Sequence, residues 1–246
     1  MTTYYHPDAL TELPLPEEAQ VILDFDGTIT RRDVLDDLVL RYSVDDSWKR
    51  LEKQWQAGLI GSHECLSREF DLLRIGREEL DRFLDRVEMD PGTRELFQTL
   101  SSHQVPAMIL SDGIERFIRR LLARCGIHEM TVRANAVEHT GDRLRLICPN
   151  SSKLCEMTAA HCKCASAREL KWPGRRLVYV GDGRSDLCPA HKADVVFAKG
   201  VLARELTRRA IPYLPFETLK DVNNALTRAW RRSRVRERSG AGWRDE

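Results

Sequence analysis

The sequence predicts an α/β protein, a parallel sheet covered by helices, with a small helical segment inserted after the first strand. Three observations carry this. Short apolar runs of strand length recur at 21–23, 105–110, 177–180 and 193–198, with helix-like stretches between them. The first three of these runs each end in a polar cluster containing glycine: Asp24-Phe25-Asp26-Gly27-Thr28, Ser111-Asp112-Gly113 and Gly181-Asp182-Gly183. Four helical patterns, at 33–42, 46–57, 62–74 and 77–87, follow the first strand with no strand between them. Ser43, Gly58, Gly61 and Gly76 punctuate them.

Further along, Asp90-Pro91-Gly92 marks a return from the insert, and 93–100 has the spacing of a helix. Residues 105–110 form the second strand, broken early by Pro106 and ending at Ser111, and 114–124 form the next helix. Residues 131–138 and 143–148 flank His139-Thr140-Gly141-Asp142, which predicts a β-hairpin. A cysteine-rich loop over 149–171 then enters a helix. Residues 177–180, 193–198 and a short piece at Tyr213-Leu214 complete the strands. The resulting division is a core of 18–31 and 91–222, a helical cap of 32–90, and an Arg-rich tail of 228–246 expected to be flexible.

Composition narrows the function. The 246 residues carry a formal net charge of +1, which gives no overall attraction to nucleic acid or anionic lipid. No apolar run reaches the 18 or so residues of a membrane span, and residues 1–20 lack the basic-then-apolar pattern of a secretory signal. The expected compartment is the cytoplasm, the expected partner a small molecule rather than nucleic acid or membrane, and a homodimer is the default oligomer. Cys148, Cys155, Cys162 and Cys164 cluster without paired CxxC spacing. They read as reduced thiols lining a loop rather than a zinc site.

The polar clusters sit at the C-terminal ends of predicted strands, the edge where open parallel sheets bind ligands. Asp24 and Asp26, two residues apart at a strand mouth, suit a carboxylate nucleophile and a proton-shuttling neighbour. Gly27 permits a tight turn and close approach to a ligand. Ser111 and the amides that follow it can receive phosphate oxygens. A phosphoryl site also needs a fixed cation. Among the lysines upstream of the third strand, Lys163 sits where a helix is about to begin. In Gly181-Asp182-Gly183-Arg184-Ser185-Asp186, Ala193 stands where an EF-hand needs its twelfth-position Glu. A magnesium site built from Asp24, the Asp26 carbonyl and Asp182 suits better, with Asp186 supporting it.

Taken in order, Asp-x-Asp, Ser, Lys and Gly-Asp-Gly-x-Ser-Asp resemble the motifs of the haloacid dehalogenase (HAD) phosphatases over about residues 20–220. The helical insert resembles the C1 cap of the phosphoserine phosphatase branch. The resemblance implies a Rossmann-like core with a helical lid. It also implies phosphomonoester hydrolysis with Mg²⁺ through an aspartyl-phosphate on Asp24. Asp26 would be the acid and base, Thr28 would place Asp26, and Ser111, Asp112, Gly27 and Lys163 would hold phosphate. Asp33 takes the place of a Glu that meets the substrate ammonium in phosphoserine phosphatases. Glu69 falls at the position of their carboxylate-binding Arg, with Arg68 beside it, and a Glu there disfavours phosphoserine. Ser67-Arg68-Glu69-Phe70-Asp71-Leu72-Leu73, the approach to Cys162-Lys163, and Phe197-Ala198-Lys199-Gly200 with Leu214-Pro215-Phe216 are more similar to the methionine-salvage phosphatases. These act on 2-hydroxy-3-keto-5-methylthiopentenyl-1-phosphate. Cys164 departs from that pattern, in which Pro is expected. The alternatives are a phosphatase for another small metabolite, a phosphomutase, or a non-catalytic binding protein on the same scaffold.

Overall fold

The computed structural model describes residues 13–155 and 158–240, with side chains described up to 231. The chain forms two compact units. One contains the described residues up to Ile22, Pro91–Ala107, and the chain from Lys171 onward. The other contains Leu23–Asp90 and Met108–Leu170. As predicted, the fold is α/β with mostly parallel strands.

In the first unit, strand β1 (Ala19–Leu23) is buried at every position, in keeping with its Val21-Ile22-Leu23 run, and Gln20 is buried with it. Two later strands, β5 (Arg176–Gly181) and β6 (Val195–Ala198), run parallel in register from Val178 opposite Val195 to Gly181 opposite Ala198. The short β7 (Leu214–Pro215) continues parallel to β6. Helix α5 (Thr93–Ser102) packs on α10 (Leu219–Gly240), where Asn223 donates to Glu95 at 2.8 Å. Gly92 makes this fit possible: a Cβ there would lie 2.2 Å from the Lys220 amide nitrogen. Helix α10 takes in residues 228–240 of the Arg-rich stretch. Trp230 is buried within it and donates its indole N–H to the Pro14 carbonyl. Residues 1–12, read for the absence of a signal sequence, and residues 241–246 of the expected tail lie outside the described residues. Helices α8 (Leu187–Ala190) and α9 (Gly200–Arg208) were not anticipated from the sequence.

In the second unit the four expected helices are present: α1 (Val34–Tyr42), α2 (Trp48–Gln56), α3 (Ser62–Leu72) and α4 (Arg77–Asp85). The isolated bridge from Thr30 to Met89, with Asp90 N–H donating to the Ile29 carbonyl, ties together the two ends of the segment. Strand β2 (Ala107–Ile114) pairs parallel with β3 (Thr131–Thr140), which pairs antiparallel with β4 (Arg143–Ile147). The hairpin turn carries Gly141 at φ 62°, a conformation suited to glycine. Helix α6 (Glu115–Arg124) packs on β3, and α7 (Lys163–Glu169) follows the cysteine-rich loop.

Two expectations are corrected here. Strand β2 does not end at Ser111. It continues through Asp112 and Gly113 to Ile114, with a register shift between Leu110 and Ile114. Such bulges re-aim side chains while pairing resumes beyond them. Of the clustered cysteines, Cys148, Cys155 and Cys162 are free thiols, but Cys164 is half of a disulfide. Local spacing gives no view of a partner supplied by tertiary folding.

The cysteine-rich loop returns to the helical segment. Thr158 adopts a positive φ of 44°, unusual for a β-branched residue. Its carbonyl accepts from His63 N–H at 3.2 Å, and Ser62 Oγ accepts from Ala160 N–H at 3.1 Å. Gly61 leaves the room, since a Cβ there would overlap the Thr158 hydroxyl at 1.8 Å. No helix among the described residues is long and apolar enough to cross a membrane.

Candidate active site

The turn after β1 is shaped by its own residues. Gly27 has φ 73°, and the Phe25 carbonyl accepts from the amides of Thr28, Ile29 and Thr30. Thr30, which the sequence reading did not single out, accepts from Gly27 N–H at 3.1 Å and donates to the Arg32 carbonyl at 2.8 Å. Thr28 is fully buried in this turn. The turn presents Asp24 and Asp26 in different surroundings.

Asp24 is buried and accepts from the Lys163 ammonium at 2.6 Å. Lys163, the first residue of α7, is buried as well. A buried ammonium against a buried carboxylate offsets the desolvation cost that either charge alone would carry. Asp26 has other partners. Its Oδ1 accepts from the Val34 amide at 3.1 Å, at the start of α1, and its Oδ2 accepts from Ser111 Oγ at 3.1 Å. Ser111 in turn accepts from Gly113 N–H at 2.7 Å, so the bulge in β2 aims a donor at Asp26. Burial pushes the Asp26 carboxyl up to about 8, helped by the nearby charge of Asp33. The hydrogen bonds from Val34 and Ser111 and the charge of Lys163 oppose that shift. A carboxyl in this range can hold a proton near neutral pH and also give it up, as an acid–base group must. Gly113 is indispensable to this contact: a Cβ there would sit 2.5 Å from Asp26 Oδ2 and 2.9 Å from Ser111 Oγ.

Asp112, between Ser111 and Gly113, makes contacts of its own. Its carboxylate accepts from His161 N–H at 2.9 Å and its carbonyl accepts from Asn135 Nδ2 at 2.7 Å. Asp33 caps α1, accepting from the amides of Leu35 and Asp36. Arg68 pairs with Glu64 at 3.2 Å with its side chain 44% exposed, and is not among the residues these contacts bring together. Its neighbour Glu69 is buried instead. Its carboxyl is pushed up to about 8, first by burial and then by Glu52, and it accepts from the Cys65 thiol. Asp36, raised to about 6 by burial and by the Glu52 and Asp26 charges, completes an acidic group shared by α1, α2 and α3.

In the other unit, Asp186 is fully buried and organises the loop after β5. It accepts from Tyr179 Oη at 2.7 Å and from the amides of Asp182 and Gly183 at 3.0 and 2.9 Å. Gly181 provides the space, since a Cβ there would lie 2.6 Å from Asp186 Oδ2. The loop therefore presents Asp182 from a fixed backbone. The Asp182 carboxylate is a hard oxygen donor of the kind Mg²⁺ prefers.

A sheet of this type, a paired-carboxylate turn after its first strand and a buried lysine define a hydrolase of the HAD class. The family model of haloacid dehalogenase-like hydrolases matches residues 21–191, and the chain belongs to this family. Within it the chain is a phosphatase. It is 30% identical over 206 residues to the 2-hydroxy-3-keto-5-methylthiopentenyl-1-phosphate phosphatase of Exiguobacterium sp. (strain ATCC BAA-1283 / AT1b), covering 82% of this chain and 94% of that one. It is 29% identical to the phosphatase of the same name from Geobacillus kaustophilus, covering 87% and 98%. Among solved structures, a substrate-bound phosphoserine phosphatase matches with a TM-score of 0.66 at 19% identity, covering 83% of this chain and 96% of that one. A probable phosphoserine phosphatase from Vibrio cholerae matches with 0.67 at 20% identity, covering 89% and 68%. At these identities the structural likeness speaks for the fold.

Proposed function

We propose that this chain hydrolyses a small phosphomonoester, 2-hydroxy-3-keto-5-methylthiopentenyl-1-phosphate, through an aspartyl-phosphate on Asp24. The observation that carries the mechanism is the contrast between the two carboxylates. Asp24 is ion-paired with Lys163 at 2.6 Å, while Asp26 accepts from the Val34 amide and from Ser111 Oγ, each at 3.1 Å. In the first step an Asp24 oxygen forms a bond to phosphorus as the bond to the leaving oxygen breaks. Asp26 gives its proton to that oxygen. In the second step Asp26 takes a proton from a water, whose oxygen attacks phosphorus. Inorganic phosphate leaves and the Asp24 carboxylate is restored. Lys163, Ser111 and backbone amides near Gly27 and Asp112 hold the phosphoryl oxygens.

Asp24, the Asp26 carbonyl and Asp182 would hold Mg²⁺, with Asp186 keeping the Asp182 loop in place. The ion would offset the negative charge of the phosphoryl group. The substrate assignment is supported by the names of the relatives, which this chain covers over almost their whole length. Residues 32–90 serve as the cap in this reading. The protein is assigned to the cytoplasm as a metabolite hydrolase, acting as a homodimer.

The test is phosphate release from a panel holding this substrate, phosphoserine and sugar phosphates, with Mg²⁺ and with EDTA. Magnesium-dependent preference for the methylthio compound supports the assignment. Preference for another member moves the protein to another pathway while keeping the chemistry. Asp24→Asn should abolish turnover in a folded protein, and turnover surviving that change rules out the covalent step.

A further inference from the structure

His161 takes no part in the chemistry described so far, yet it is fully buried, and its backbone N–H and both ring nitrogens are engaged. Nδ1 lies 2.9 Å from the Ser111 carbonyl, which only accepts, so Nδ1 carries the hydrogen. Nε2 then offers a lone pair to the Ser166 hydroxyl at 2.7 Å. The His161 amide donates to the Asp112 carboxylate at 2.9 Å. Ser166 stands one helical turn after Lys163 on α7, so its bond to the ring reaches the turn that carries the lysine. One imidazole thus spans from the bulge of β2, where Ser111 is aimed at Asp26, to the helix whose first residue is ion-paired with Asp24.

We propose that His161 is a positioning residue that sets the spacing between Ser111 and Lys163 through its Nδ1–H bond to the Ser111 carbonyl. The inference rests on the reading of Ser111 and Lys163 as the groups that hold phosphate. The ring works neutral. Burial, and after it the Lys163 and Arg133 charges, push it down to about 4, against the bond to Ser111. A neutral ring in one tautomer is a rigid spacer and adds no charge beside a phosphate site. Such a spacer acts on the geometry of the oxyanion contacts and leaves the leaving group alone.

Two substitutions separate this role from simple space-filling. His161→Phe keeps most of the volume and loses both ring hydrogen bonds. His161→Asn loses volume but retains an N–H where Nδ1 stands. For a positioning residue, Asn should outperform Phe. His161→Phe should lower kcat on p-nitrophenyl phosphate by about 10²-fold, the scale of an ångström-sized misplacement, while His161→Asn stays within about tenfold of wild type. Inorganic phosphate affinity, read by calorimetry without turnover, should weaken in the same order. The ¹⁵N shifts of His161 should report a protonated Nδ1 and an unprotonated Nε2. If Phe matches or exceeds Asn in both kcat and phosphate binding, or if the proton sits on Nε2, the inference falls. If the wild type binds phosphate in this order of variants yet hydrolyses no monoester, the proposed function falls and the positioning role stands. If the wild type binds no phosphate, both fall.

Discussion

Lys163→Met removes one half of the buried ion pair with Asp24. The side chains are 1% and 7% exposed and the contact is 2.6 Å, so the Asp24 carboxylate would be left in a site with little water to solvate it. Breaking such a pair by deleting one partner costs about 3–5 kcal/mol, because the remaining charge stays buried. For a chain of this size that is a fall in melting temperature of about 6–20 °C. The companion change Asp24→Asn removes the orphaned charge. The double variant Asp24→Asn/Lys163→Met should therefore be more stable than Lys163→Met alone. Urea unfolding of all four proteins in EDTA closes the cycle, with no divalent ion present to replace the lost cation. A coupling energy of about 2 kcal/mol or more is expected, well above the ~0.5 kcal/mol scatter of independent sites. If the two single changes add within that scatter, the pair is not a strong one and the electrostatic account of Asp24 is wrong.

Three further outcomes are expected. Gly113→Ala brings a methyl group to 2.5 Å from Asp26 Oδ2, so kcat should drop about 10²-fold while circular dichroism is unchanged; near-wild-type turnover would refute the assigned Asp26–Ser111 contact. Glu69 carries a raised carboxyl, about 8 against an ordinary 4.5, so the folded state binds its proton more tightly than the unfolded chain does. The stability it contributes is full below about 4.5 and is lost as pH rises through about 8. Glu69→Gln should thus gain on wild type in thermal unfolding from pH 5 to pH 9, and parallel curves would contradict the burial argument. Asp186→Ala should loosen the loop that carries Asp182 and raise the Mg²⁺ concentration needed for half-maximal turnover, measured by magnesium titration, whereas an unchanged requirement would remove Asp186 from the metal site.

Much of the fold was legible because it follows from local pattern. The run before Asp24 is aliphatic and of strand length, and the four helical stretches after it repeat at three and four residues. Lys163 was legible by its place just before a helix feeding the next strand. What escaped is what tertiary folding alone supplies. The Val34 amide that holds Asp26 is an ordinary backbone group, and no residue type announces it. His161 reads as a lone histidine, since its partners Ser111 and Asp112 lie about fifty residues upstream. The bulge that carries β2 past Ser111 depends on pairing with Asn135. Asp33 and Arg68 are each engaged locally: one caps a helix, the other pairs one turn away. Helix α9 buries Leu202 and Leu206 but opens on Gly200 at φ 56°, a residue and conformation that do not announce a helix.

The contact between Thr158 and Gly61 bears on how this protein can change over time. The chain that leads to Lys163 leans on the first turn of α3 through two hydrogen bonds, and it fits only because residue 61 has no side chain. The helical segment is therefore not a freely exchangeable cassette. A lineage that swapped it for one with different selectivity would also have to rebuild the approach to the lysine.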